Sequence, residues 1–200
     1  MHCKYRGKKA IYKCNTCGAL LCEKHAELRI ACPSCIKHNV FKCKIVKMKK
    51  DSERKKIRVL VRQFWGEDEQ LTFDRKFKIA ELPAYVAKVK KNQIVGFVSF
   101  ADAGDSMVIA ALGVLPEYQN SGIGKSLITK VEAEAEKILK KRLLVSTSND
   151  DLPALAFYQS LDFKIYEVKP NVIAEKHGKI MSGVGGLPIR DEIRLRKVLE

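Results

Sequence analysis

The pattern of apolar residues predicts an α+β fold, a mixed sheet flanked by helices, with a small cysteine-rich module ahead of it. Three observations carry the prediction. The apolar run from Met107 to Val114 reads as a buried strand that passes through Pro116 into a turn with two closely spaced glycines, then a helix. Around it, from Ile57 to the C-terminus, strand-like runs alternate with stretches of helical period. All seven cysteines lie between Cys3 and Cys43, so the first part of the chain obeys different rules from the rest.

Residues 1–44 contain three ligand pairs of one spacing: Cys14-x-x-Cys17, Cys22-x-x-His25 and Cys32-x-x-Cys35. Cys3 precedes them and His38 follows. Two ligands separated by two residues on a tight turn can both reach one tetrahedral zinc ion, at about 2.0–2.3 Å. So short a segment has too little core to fold alone, and zinc would supply the missing free energy. The first residues lack the apolar stretch of a signal peptide. The expected compartment is therefore the cytoplasm, where disulfides are rare and metal is the better reading of the cysteines. Alternate pairing would put Cys14, Cys17, Cys32 and Cys35 on one zinc. Cys22, His25 and Cys3 would share a second, with His2 or His38 as the eighth ligand; the sequence leaves open whether one ion is bound or two. The order of pairs resembles a B-box zinc finger, although Arg6 stands where that motif has a histidine. The resemblance implies a docking module rather than a catalyst. Cys43 has no partner by spacing and reads as a free or buried thiol.

Residues 1–58 carry 17 Lys and Arg against 4 Asp and Glu, almost all of the net charge of +15. Such a concentration suits an acidic macromolecule, either nucleic acid or protein. The few aromatic residues there (Tyr5, Tyr12 and Phe41) argue against readout by base stacking. No run of about 18 apolar residues exists, so no membrane span is expected.

Residues 45–56 read as a solvated basic linker and residues 57–200 as the main domain. Ile57 to Phe64 looks like a strand, being β-branched and aromatic. Glu67 to Ala80 is mixed and reads as a helix with a loop. Ala84 to Lys90 and Ile94 to Ala101 read as a hairpin across Lys91-Asn92-Gln93. Asp102 to Asp105 then turns the chain into the strand ending at Val114. Behind the glycines, Leu127, Ile128, Val131, Ala135, Ile138 and Leu139 recur at helical spacing. Leu143 to Ser146 is a short buried strand, Leu155 to Leu161 a helix and Phe163 to Val168 a strand. Lys169 to Gly186 is polar and glycine-rich, as a mobile loop would be. From Ile193 to Leu199 apolar and charged residues alternate, as along an edge strand.

The turn itself reads Val114-Leu115-Pro116-Glu117-Tyr118-Gln119-Asn120-Ser121-Gly122-Ile123-Gly124-Lys125-Ser126. Gly122 and Gly124 let the backbone approach a ligand closely, and the helix starting near Ser121 adds the positive end of its dipole. The turn is therefore suited to a pyrophosphate. It matches neither the dinucleotide fingerprint nor the P-loop. A second segment follows: Asn149-Asp150-Asp151-Leu152-Pro153-Ala154-Leu155-Ala156-Phe157-Tyr158, then Leu161-Asp162-Phe163. Together the two resemble the ordered motifs of the GNAT superfamily of N-acetyltransferases, over roughly Ile57 to Glu200.

The resemblance implies a GNAT fold, acetyl-CoA as the cofactor, and transfer of its acetyl group to an amine acceptor. By motif position, the backbone of Leu112 and Val114 would bond the pantetheine arm as an added strand. The N–H groups of Gln119, Asn120, Ser121, Gly122, Ile123, Gly124 and Lys125 would hold the pyrophosphate, with Ser126 close behind. Asn149 would touch the cofactor, and Tyr158 would stabilise or protonate the departing thiolate. Gln119 stands where many members have Arg. Asp162 replaces the usual Gly before the closing Phe163, an exchange that needs a left-handed backbone there. The Glu that members often carry on the strand before the loop is absent, since Val108 to Leu112 contain no acid. Asp105, Asp191 or Glu192 acting through water are the remaining candidates for a base. The class of the acceptor amine is not legible, because substrate loops vary freely on one fold. The rival reading is a nucleic-acid- or protein-binding regulator whose transferase-like domain binds CoA without turnover.

Overall fold

The computed structural model describes residues 43–199, together with Lys9 and a short antiparallel pair, β1 (Tyr12–Lys13) and β2 (Leu20–Leu21). The expected zinc ligands Cys3, Cys14, Cys17, Cys22, His25, Cys32, Cys35 and His38 all lie outside the described residues. The main domain runs through β3 (Lys44–Lys47), α1 (Asp51–Trp65), β4 (Glu69–Thr72), β5 (Arg75–Lys78), β6 (Ala84–Lys88), β7 (Ile94–Ala103) and β8 (Ser106–Val114). It continues with α2 (Ile123–Lys137), β9 (Arg142–Ser148), α3 (Leu152–Gln159), β10 (Lys164–Lys169), α4 (Val172–His177), β11 (Met181–Ser182), β12 (Pro188–Ile189) and β13 (Glu192–Val198). Seven strands form one sheet in the order β10–β13–β9–β8–β7–β6–β3, antiparallel except for the β8–β9 pair. This is the mixed α+β sheet flanked by helices that the sequence predicts.

Each face of the sheet has its own apolar cluster. On one, Leu127, Ile128, Val131 and Ala135 of α2 pack with Tyr158, Leu161 and Phe163 against Val98, Phe100, Ile109, Leu143 and Val145. On the other, Ile57, Leu60 and Val61 of α1 pack with Phe77, Ile79, Phe97 and Val108. Helix α1 lies so close to β8 that a Cβ on Gly113 would sit 2.5 Å from Phe64 Cε2, so any larger residue there would have to displace the Phe64 ring. Among the described residues no helix is long and apolar enough to cross a membrane.

Several elements differ from the sequence expectation, each for a visible reason. Residues 57–64 belong to a helix, not a strand. Ile57, Leu60, Val61 and Phe64 fall at i, i+3, i+4 and i+7, one helical stripe, and burial of that stripe outweighs β-propensity. Glu53 starts the helix by accepting from Lys49 N (2.9 Å) and Lys50 N (3.1 Å). Gly66 ends it in the left-handed region, its N–H bonded to Arg62 O. The expected linker 45–56 is likewise part of the domain. Its first residues form edge strand β3, paired with β6, and the rest opens α1.

Residues 69–78 form a hairpin, β4–β5, instead of a helix. Its two-residue turn, Phe73-Asp74, has φ of 51° and 58°. That geometry normally calls for Asn-Gly, so the sequence hid the turn. The region 169–186 holds α4 and strand β11, which pairs with β12, rather than only a loop. Strand β13 is interior, between β10 and β9, not an edge. Its charges were misleading because Arg194 and Glu192 are buried and paired with each other. Helix α2 stops at Lys137, leaving Leu139 88% exposed in the left-handed region instead of on the buried stripe. Asp162 takes the predicted left-handed conformation, with φ of 68°.

Candidate active site

The central feature is a parting between two neighbouring strands. The parallel ladder of β8 and β9 runs from Ser106–Arg142 to Ile109–Val145 and then stops. Both strands continue, β8 to Val114 along β7 and β9 to Ser148 along β13. The parting opens at a bulge: Ser99 and Phe100 pair with Ala111 and Ile109, leaving Ala110 as the extra residue on β8. Among the described residues, backbone groups of 110–114 on the β9 side thus have no strand partner, and buried backbone polar groups require one. An extended ligand carrying amides fits that edge as an added strand would. Leu112 and Val114 lie on it, and the Val114 carbonyl also accepts from Gln119 Nε2 at 2.9 Å.

Past Val114, Pro116–Tyr118 make one 3₁₀ turn, and the chain then enters α2 through the glycine loop. Asn120 and Gly122 both adopt positive φ, 59° and 82°. Gly122 is the N-cap of α2, and among the described residues no side chain caps the helix. Its first N–H groups, on Ile123, Gly124 and Lys125, are thereby left to an outside acceptor, with the helix dipole behind them. The hydroxyls of this loop turn onto the backbone: Ser121 Oγ donates to Tyr118 O, and Ser126 Oγ to Gly122 O. A Cβ on Gly124 would meet the Phe157 ring at 3.2 Å, so the loop and α3 are in near contact. The residues present therefore fit an extended cofactor with a pyrophosphate end.

Tyr158 is buried on α3, with Phe157 and Phe163 edge-on at ring distances of 5.2 and 5.6 Å. Burial, with the Asp151 charge adding to it, pushes its hydroxyl pKa up, so the phenol keeps its proton. Asn149 is engaged by the chain itself. Its Oδ1 accepts from Arg190 N and Asp191 N, both at 3.0 Å, and its Nδ2 donates to Pro188 O at 2.8 Å. The side chain thus ties the end of β9 to the approach of β13, in the manner of a turn former.

The three candidate bases separate clearly. Asp105 sits at the far end of β8 from the loop. Its bond to Arg142, with Ser106 adding to it, holds its carboxyl below the usual range. Asp191 accepts from Asn171 N, and that bond with Arg190 also lowers it. Glu192 lies under the β4–β5 hairpin. It accepts from Thr72 Oγ1 and Phe73 N, both at 3.1 Å, and from Arg194. Arg194 also pairs with Asp74 and Glu167 and stacks over the Phe73 ring. Thr72 and Ser146, whose hydroxyls touch, complete this cluster. Sequence reasoning missed Thr72, Ser146 and Arg194. Thr72 and Glu192 are 120 positions apart and no spacing rule joins them. Among the described residues no group of His, Cys, Asp and Glu could hold a metal. Two surface hollows, of about 180 and 340 Å³, lie along α1, and neither includes a residue of the glycine loop.

A parted parallel strand pair beside an uncapped helix mouth defines a class: an α+β protein built to hold a long ligand with an anionic end. Comparison with known proteins gives the family. Residues 54–163 match the model of the acetyltransferase (GNAT) family. An uncharacterised Bacillus subtilis protein, YdhI, is 30% identical over 141 residues, covering 68% of this chain and 86% of its own. Among solved structures, an IAA acetyltransferase from Bacillus cereus is similar at a TM-score of 0.62 and 23% identity, over 79% of this chain and 100% of that one. A GNAT family acetyltransferase from Elizabethkingia anophelis, solved with acetyl-CoA bound, has a TM-score of 0.58 and 20% identity, over 78% and 98%. The chain belongs to the acetyltransferase (GNAT) family and is an acetyl-CoA-dependent N-acyltransferase.

Proposed function

We propose that the domain moves the acetyl group of acetyl-CoA to an amine, with the pantetheine arm lying in the gap between β8 and β9. The observation that carries this reading is the ladder that ends at Ile109–Val145 while both strands continue. The unpaired edge at Leu112 and Val114 bonds the pantetheine amides. The N–H groups from Gln119 to Lys125, with Ser126 behind, receive the pyrophosphate. Tyr158 supplies the proton that the departing thiolate needs, a role suited to a phenol that burial keeps neutral. Asn149 acts on the cofactor less through its side chain, which the 188–191 backbone already occupies, than by fixing the end of β9. Labelled acetyl-CoA incubated with the protein and a cell extract tests the reading: label is expected on an amine, and its absence from every acceptor would favour a CoA-binding regulator.

The N-terminal cysteines and histidines bind zinc in this reading, and the module docks the enzyme on an acidic macromolecule. Support comes from the even ligand spacing and from the excess of 9 Lys and Arg over 2 Asp and Glu in residues 1–42.

A further inference from the structure

We propose that Ser146 takes the hydrogen of the incoming amine, at the head of a chain of hydroxyls that ends on the Glu192 carboxylate. This rests on the acetyl-transfer reading above. The bond directions follow from which groups own protons. Glu192 Oε1 accepts from Thr72 Oγ1 (3.1 Å) and from Phe73 N (3.1 Å), and a carboxylate has nothing to donate. Thr72 has one hydroxyl proton, and it is spent on Glu192. In the contact between Thr72 Oγ1 and Ser146 Oγ, Ser146 is therefore the donor. Its own lone pairs remain for a donor from outside.

Ser146 stands where such a donor would arrive. The β8–β9 ladder ends at Val145, so Ser146 is the first residue of β9 beyond the parting. Its contact with Thr72 puts it on the hairpin face of the sheet, opposite the face where Val145 packs with Tyr158. Gln70 adds an independent sign of a ligand here. It shares the inward face of β4 with Thr72, two residues away, and its Nε2 is buried with no partner among the described residues. Arg194 binds Glu192 Oε2, leaving Oε1 to the relay, and divides its charge with Asp74 and Glu167.

The proton inventory closes. An ammonium N–H donates to Ser146 Oγ. As that proton moves to Ser146, the Ser146 proton passes to Thr72 and the Thr72 proton to Glu192 Oε1. The acceptor becomes a neutral amine and Glu192 a neutral acid. The nitrogen lone pair then forms the C–N bond as the C–S bond breaks. A second nitrogen proton ends on the sulfur by way of Tyr158, and Glu192 returns its proton to water. Ser146 touches the substrate; Thr72 and Glu192 are positioning residues.

The test compares two small acceptors at neutral pH, with CoA release as the readout. n-Butylamine is an ammonium there, since such amines ionise at about pH 10.4, whereas hydroxylamine is already neutral and needs no base. Thr72→Val and Ser146→Ala are expected to lose roughly 10²-fold with n-butylamine, and Thr72→Val less than about threefold with hydroxylamine. Thr72→Ser restores the rate, and the n-butylamine deficit shrinks as pH rises. Equal losses with both acceptors, or a full n-butylamine rate in Thr72→Val, would overturn the relay. A wild-type protein that binds acetyl-CoA but releases CoA to neither amine overturns the acetyl-transfer reading, and the relay with it.

Discussion

Tyr158 and Glu53 illustrate how opposite surroundings tune single residues. Tyr158 is wrapped in rings on α3, where burial raises its hydroxyl pKa and keeps the proton in place until the thiolate, a base, arrives. Tyr158→Phe removes that donor with little change in volume. Turnover with n-butylamine should fall roughly 10²-fold while acetyl-CoA affinity stays nearly constant; unchanged turnover with chemistry rate-limiting would leave Tyr158 a packing residue. Glu53 is nearly buried at the start of α1, where the bond from Lys88, helped by the Lys49 and Lys50 amides, holds its carboxyl at about 2. A depressed carboxyl contributes stability above its unfolded pKa and loses it as pH falls through the folded one. Glu53 should therefore stabilise the domain at neutral pH by about 3 kcal/mol, lost between about pH 4.5 and pH 2. Urea unfolding followed by Trp65 fluorescence checks this. Glu53→Gln should be less stable at neutral pH, with the gap closing toward pH 2; a gap independent of pH would mean that the charge is not the cause.

Helix α1 shows what was and was not legible among the elements. β-Branched residues at 57, 59 and 61 suggested a strand, in which all three would share one face. In the helix Ile57 and Val61 are buried while Val59 is 64% exposed. Ile57→Ala should then cost about 2–5 kcal/mol and Val59→Ala within about 0.5 kcal/mol, measured by denaturant unfolding. Comparable costs at both positions would return the segment to a strand. The core strands, the glycine turn and α2 were readable because local period and long-range packing agree there. The β4–β5 hairpin was not, because Phe73 and Asp74 reach positive φ against their own preference. Glu192 bonding Phe73 N and Arg194 stacking on its ring hold the turn from another part of the chain. The same is true of β13, whose charges look solvated until partners from β5's turn and β10 are brought beside them. The cofactor side of the site was therefore visible as a motif. The proposed acceptor side was legible only in Glu192, one of the candidate bases; nothing in the sequence joins it to Thr72 and Ser146.

At the scale of the whole molecule, the net charge of +15 is shared between a first part, residues 1–42, with 9 Lys and Arg against 2 Asp and Glu, and the domain that follows, with 29 against 21. If the cysteine pairs hold zinc, metal analysis of the reduced full chain should find about one to two ions per chain. Cys14→Ser should lower that content without weakening acetyl-CoA binding, and a metal-free protein would remove the zinc module from the account. The domain's own function turns on whether the mouth of α2 receives a pyrophosphate. Gly122 decides this most directly: a Cβ there meets nothing within 4 Å, so a side chain can enter open space. Its φ of 82° is one that Asp tolerates better than most residues. Gly122→Asp would set a carboxylate against the phosphates. The deciding measurement is calorimetry of acetyl-CoA binding to the wild type and Gly122→Asp, with circular dichroism to verify the fold. The wild type should bind and the variant should bind at least about tenfold more weakly, 1.4 kcal/mol; equal affinity in two folded proteins would mean that the mouth of α2 receives no pyrophosphate.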